Sequence, residues 1–195
     1  KGRATIFVMS KRYDYSEFAK MVEGRGIPTG WSSHWKYDGI DGYVSLVATD
    51  RDDEDAIEAR LTSPLVSLAV ATRGGDVPRW LAEGTGKVIA KRHGNTEKSP
   101  RGRTKKPAVN QELVEALRAM GSAKQFLDGR LTPEHSDLIA TDLMSAMLDR
   151  AQRKGFDGLL RNLSRGLPFE KAFIQSFEAT PQQFVEAWKR WRTGS

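Results

Sequence analysis

Val77-Pro78-Arg79-Trp80-Leu81-Ala82-Glu83-Gly84 is the stretch whose reading decides the fold. Pro78 can open a helix, because the amide it lacks would be an unpaired donor of the first turn anyway. Trp80, Leu81, Val88 and Ile89 then recur at helical spacing, so the run VPRWLAEGTGKVIAKRH is predicted to be helical with Trp80 and Leu81 in the core. Glu83 is the acid of that helix, and in such a helix a lone Glu is ordinarily solvated or hydrogen-bonded. Gly84-Thr85-Gly86 is too short and too helical to be a nucleotide fingerprint.

Upstream, residues 3–10 (RATIFVMS) and 43–49 (YVSLVAT) are rich in β-formers and read as strands. Asp14 can cap a helix carrying Phe18, Met21 and Val22. Residues 24–42, Gly-rich and aromatic, read as an ordered loop or a hairpin arm. The acids of 50–55 lack the glycine and closing Glu of a calcium loop and read as N-terminal charge on a long helix over 54–72, which Gly74-Gly75 ends.

Downstream, 87–106 holds eight Lys or Arg against one Glu with Gly, Ser, Asn and Pro interleaved, and reads as a loop. Helices are predicted over 109–119, 133–154, 156–165, 168–178 and 180–192, with caps at Thr132-Pro133, Gly166-Leu167-Pro168 and Thr180-Pro181. Strands come first and helices last. The fold class is therefore α+β, a small N-terminal mixed sheet with helices over 1–76 and a mainly helical part over 77–195, in one domain.

The 195 residues are 38% hydrophobic and 29% charged, the balance of a globular but polar chain. No apolar run approaches the roughly 20 residues that span a bilayer, so no membrane insertion is expected. The opening Lys1-Gly2-Arg3 leads straight into a strand and reads as a domain cut from a longer protein. With no cysteine, disulfides, thiolate metal sites and a cysteine nucleophile are excluded. The net charge of +6 permits nucleic acid, an anionic surface or an acidic partner. Its candidate anion-binding residues are Lys87, Lys91, Arg92, Lys98, Arg101, Arg103, Lys105 and Lys106. That loop has no aromatic beyond His93 for stacking on bases, so a protein partner, or other domains of the parent chain, is preferred to nucleic acid.

The 77–84 stretch resembles the P-x-W-L-x-E-G helix of gluzincin-type, peptidase MA-like zinc metallopeptidases. The segment Gly166-Leu167-Pro168-Phe169-Glu170-Lys171-Ala172-Phe173, followed by Phe184 and Trp188, is similar to the closing helices of that family. The resemblance implies a zincin-like fold in which Glu83 stands at the third zinc ligand and an H-E-x-x-H helix lies about 20 residues upstream. There the sequence reads LTSPLVS over 61–67, so Thr62 and Ser63 stand for His and Glu, and Val66 or Ser67 for the second His. Pro64 is expected to kink that helix. The three histidines, His34, His93 and His135, are far from it in sequence and unpaired at i, i+4.

The resemblance therefore implies a pseudopeptidase: no zinc, no cofactor, no catalytic residue, Glu83 as a relic, and service as a scaffold or protein-binding module. Trp31, His34, Trp35, Tyr37 and Tyr43 would lie near the substrate edge and line a binding cleft, or pack an irregular arm over the core. An active enzyme built around Glu83 and a nucleic-acid module using 87–106 are the alternatives. The family's habits point to an extracytoplasmic location.

Overall fold

Strand β1 (Ala4–Met9) pairs in parallel with a strand more than thirty residues on, and parallel partners need a long crossover. Helix α1 (Arg12–Glu23) and the antiparallel arm β2 (Ser33–Tyr37) supply it before β3 (Gly42–Val47) closes the sheet in the order β1-β3-β2. The computed structural model describes residues 3–74, 76–94, 111–149 and 152–194. The hairpin-arm reading of 24–42 holds, with β2 as its strand.

α1 begins at Arg12, not after a capping Asp14, and its apolar face differs from the predicted one. Tyr15 and Ala19 turn to the sheet and Phe18 packs on Phe7 and Tyr43, whereas Met21, about a third of a turn off that face, and Val22, on the last turn, stay exposed. On the other face lies α2 (Glu54–Ala71), capped by Asp53, whose carboxylate accepts the Ala56 amide. Leu68 presses so close to Gly42 that a β-carbon there would overlap it.

Pro64 does not interrupt α2. A proline at i leaves the carbonyl at i−4, here Arg60, without its helical partner. The Ser33 hydroxyl of β2 donates to that carbonyl at 2.9 Å. The defect is thus repaired from outside the helix.

A short turn brings α3 (Arg79–Gly94) back along α2. The helix covers the first part of the predicted 87–106 loop, because Val88 is buried and keeps the apolar face going. Lys98, Arg101, Arg103, Lys105 and Lys106 lie outside the described residues. α3 then packs against α6 (Pro133–Met147), after α4 (Gln111–Ala119) and a short α5 (Ala123–Leu127) that the sequence reading missed. The predicted helix over 133–154 ends early: α6 stops at Met147, and the helix predicted over 156–165 starts sooner, as α7 (Arg153–Ser164), six residues on. The stop comes from α3, where Arg92 donates to the Ser145 and Leu148 carbonyls and pairs with Asp149.

α8 (Phe169–Phe177) and α9 (Pro181–Thr193) close the chain. Thr180 and Gln183 form a capping box around Pro181. Phe169, Phe173, Phe177 and Phe184 stack in one aromatic cluster, and Trp80 joins it through Phe169. The core therefore runs from the end of α2 through Trp80 and Leu81 to Trp188. Among the described residues, no helix is long and apolar enough to cross a membrane.

Candidate functional site

A trough runs the length of β2, with α2 and α3 as its floor. Its first half, about 270 Å³, is lined by Trp31, Trp35, Ser63, Ser67, Arg79 and Glu83 among others. Its second half, about 510 Å³, continues past Trp35 and Arg79 to Arg25, Lys36, Tyr37 and Gly39. Of the aromatic residues proposed for a cleft, Trp31, Trp35 and Tyr37 line it. Tyr43 does not, because strand alternation turns it to the opposite face, against Phe7 and Phe18.

β2 is an edge strand among the described residues. Val47 N donates to Ser32 O and Asp38 N to Asp41 O, which fixes the even-numbered residues of the arm as the bonded ones. By antiparallel alternation, Ser33, Trp35 and Tyr37 then direct their main-chain N–H and C=O groups away from β3, along the trough.

The floor is narrow. Gly86 of α3 meets α2 where a β-carbon would overlap the Ser67 hydroxyl and the Ser63 carbonyl. Ser63 and Ser67 line the trough, while Thr62 bonds back to the Glu58 carbonyl and neither it nor Val66 is part of the lining. Ser67 Oγ donates to Ser63 O at 2.9 Å, and Glu83 is held by Arg79 Nε at 2.7 Å. Zinc takes imidazole, thiolate or carboxylate donors, and two serine hydroxyls beside an Arg-bound Glu do not fit it. Among the described residues, no three His, Asp or Glu side chains are grouped to hold a metal ion.

Behind β2 lies a polar cluster of which sequence reasoning named only His34 and Tyr43. His34 Nε2 is 2.6 Å from Glu23 Oε1, and its Nδ1 is 2.6 Å from the Tyr15 hydroxyl. Tyr43 donates to the same Glu23 oxygen at 2.6 Å, and Arg25 Nε to the other at 2.5 Å. Both the Glu23 and His34 side chains are at most 3% exposed. Burial opposes the charge on Glu23, but the bonds from Tyr43, Arg25 and His34 outweigh it and hold the carboxyl below its ordinary range. Burial likewise holds His34 below its ordinary value, against the pull of Glu23. Burial first, then Glu23, pushes the Tyr15 phenol up to about 12.

The network assigns a neutral imidazole that donates from Nε2 to Glu23 and accepts from the Tyr15 O–H. Ser45 Oγ is 3.0 and 3.1 Å from the two ring nitrogens, in line with neither, and Ser45 is fully buried. A serine nucleophile needs an exposed oxygen bonded to one nitrogen, so Ser45, His34 and Glu23 are a structural clamp of α1 to β2 and β3. The sequence did hold a signal. Glu23 ends α1 beside Gly24, where the helix dipole disfavours an acid unless partners hold it.

Three of the candidate anion-binding residues are described. Lys87 pairs with Asp137 at 2.5 Å, Arg92 caps α6, and Lys91 is exposed on α3. Comparison with protein-family models, with characterised proteins and with solved structures finds no match to this chain.

Proposed function

We propose that this domain is a metallopeptidase-like module without catalytic zinc, which binds extended polypeptide from a partner or its parent chain in the trough beneath β2. The observation that carries the reading is the free edge of β2 set over the α2–α3 pair. Ser33, Trp35 and Tyr37 offer a ladder for one more strand, and Trp31 and Trp35 offer apolar walls for its side chains. The resemblance of 77–84 to the glutamate helix of gluzincins supports the rest. Glu83 stands in that trough opposite α2, and α2 supplies Ser63, Pro64 and Ser67 where a peptidase needs imidazoles. Glu83 accepts from Arg79 Nε at 2.7 Å.

The test is a titration of the isotope-labelled domain with short peptides of alternating valine and threonine, read on backbone amide resonances. Shifts centred on Ser33, Trp35 and Tyr37, with no cleavage of the peptide, are expected. Metal analysis after dialysis against trace zinc should find less than about a tenth of an equivalent. A full equivalent of zinc, or hydrolysis lost on Glu83→Gln, would overturn the reading in favour of an enzyme centred on Glu83.

A further inference from the structure

The second half of the trough differs from the first in its charges. Arg25, Lys36 and Arg79 line it, together with Trp35, Tyr37 and Gly39, Lys36 from the side of the strand that carries Tyr43. Its two acids are spent. Glu23 already accepts from His34, Tyr43 and Arg25, and Asp38 Oδ1 accepts the Ile40 and Asp41 amides of the β2–β3 turn. The cations are not. Arg25 and Arg79 each use only Nε on an acid, at 2.5 and 2.7 Å, which leaves their terminal nitrogens without hydrogen-bond partners among the described residues. Lys36 makes no ion pair among the described residues, although Asp38 lies near enough to feel its charge, and it is half-buried. Arg25 is further steadied over the Trp31 ring at 5.8 Å.

Unused guanidinium donors lining one cleft are a site for an oxyanion, and the planar guanidinium matches a carboxylate best. Tyr37, the last residue of β2 with a free edge, opens on this cleft, so a strand laid on β2 delivers one of its residues there. We infer that this end of the trough is a carboxylate subsite, which takes the C-terminal carboxylate or an acidic side chain of the bound peptide. The inference rests on the peptide reading above and gives it a direction: a peptide parallel to β2 places its C-terminus here, and an antiparallel one places an Asp or Glu.

Four fluorescein-labelled peptides of alternating valine and threonine separate the cases. One ends in a free carboxylate and one in an amide, and two amidated ones carry glutamate or glutamine near one end. Anisotropy at low salt should show about tenfold tighter binding for one or both carboxylate peptides than for its neutral twin, the scale of one charge-assisted bond. The gap should shrink at high salt and in Lys36→Gln, a variant that removes no internal bond and should melt like the parent. The arm that shows the gap names the source of the carboxylate. Equal binding of all four peptides, with amide shifts at Ser33, Trp35 and Tyr37, would overturn the subsite and leave the trough standing. No shift from any peptide would overturn both.

Discussion

The hydroxyl of Ser33 donates to the carbonyl of Arg60 at 2.9 Å, the group that Pro64 leaves without a helical donor. One bond therefore repairs a helix and fastens the edge strand over it. Removing Ser33 Oγ strands a partly buried carbonyl, so Ser33→Ala should cost about 1–3 kcal/mol in urea unfolding. Pro64→Ala returns an amide to Arg60 O and should make the Ser33 hydroxyl nearly dispensable. In the double-mutant cycle the double variant should then lose less stability than the two single losses added together. Equal losses from Ser33→Ala in both backgrounds would mean that the bond does not compensate the proline.

Gly86 sets how closely α3 approaches α2. Alanine there gains up to about 1 kcal/mol of helix propensity, yet its methyl would overlap the Ser67 hydroxyl and the Ser63 carbonyl. Overpacking of this kind costs about 1–3 kcal/mol, so a net loss is expected from Gly86→Ala. Adding Ser67→Ala should relieve only the part due to the hydroxyl. Gly94→Ala, where a β-carbon meets nothing among the described residues, is the control. A Gly86→Ala variant as stable as the parent would show that the helices pass farther apart.

The elements legible in the sequence are those whose causes are local. The β-forming runs, the acids and Asp53 before α2, Pro78 before α3 and the Thr180-Pro181 cap all act within a few residues. Trp80 and Leu81 are buried as their spacing requires. What was missed has distant causes. The end of α6 depends on Arg92, over fifty residues away, and no glycine or proline marks it. The continuity of α2 through Pro64 depends on Ser33. Of the site, Trp31, Trp35, Tyr37, Ser63 and Glu83 were placed near one another, whereas the clamp of Glu23, Tyr15 and Ser45 on His34 joins three elements that share no sequence pattern.

Acid should loosen that clamp. His34 has its folded pKa depressed, so between the ordinary histidine value near 6.5 and the lower folded value the unfolded chain binds the extra proton. Stability from this residue is thus whole above that range and falls as the pH drops through it. Glu23, also depressed, adds a second loss below its ordinary value of 4.5. Thermal melts from pH 8 down to about 4 should show the parent losing stability more steeply below about 6.5 than His34→Gln, which cannot titrate. Parallel curves for the two proteins would mean that His34 charges in place without cost.

Arg92 decides between a surface cation and a cap. Its Nη1 donates to the Leu148 carbonyl at 3.2 Å, and its Nη2 reaches Ser145 O at 3.4 Å and Asp149 Oδ1 at 3.1 Å. These are the carbonyls that α6 leaves unpaired at its end, and a cation there also meets the negative pole of the helix. The contacts are partly exposed, so Arg92→Ala should cost about 1 kcal/mol, with faster hydrogen exchange at the Leu148 and Asp149 amides. Lys91→Ala, one residue earlier on the exposed face of α3, should change stability by no more than about 0.5 kcal/mol. If Arg92 serves instead as part of an anion-binding surface, the order reverses: both variants melt like the parent, and both elute earlier from heparin.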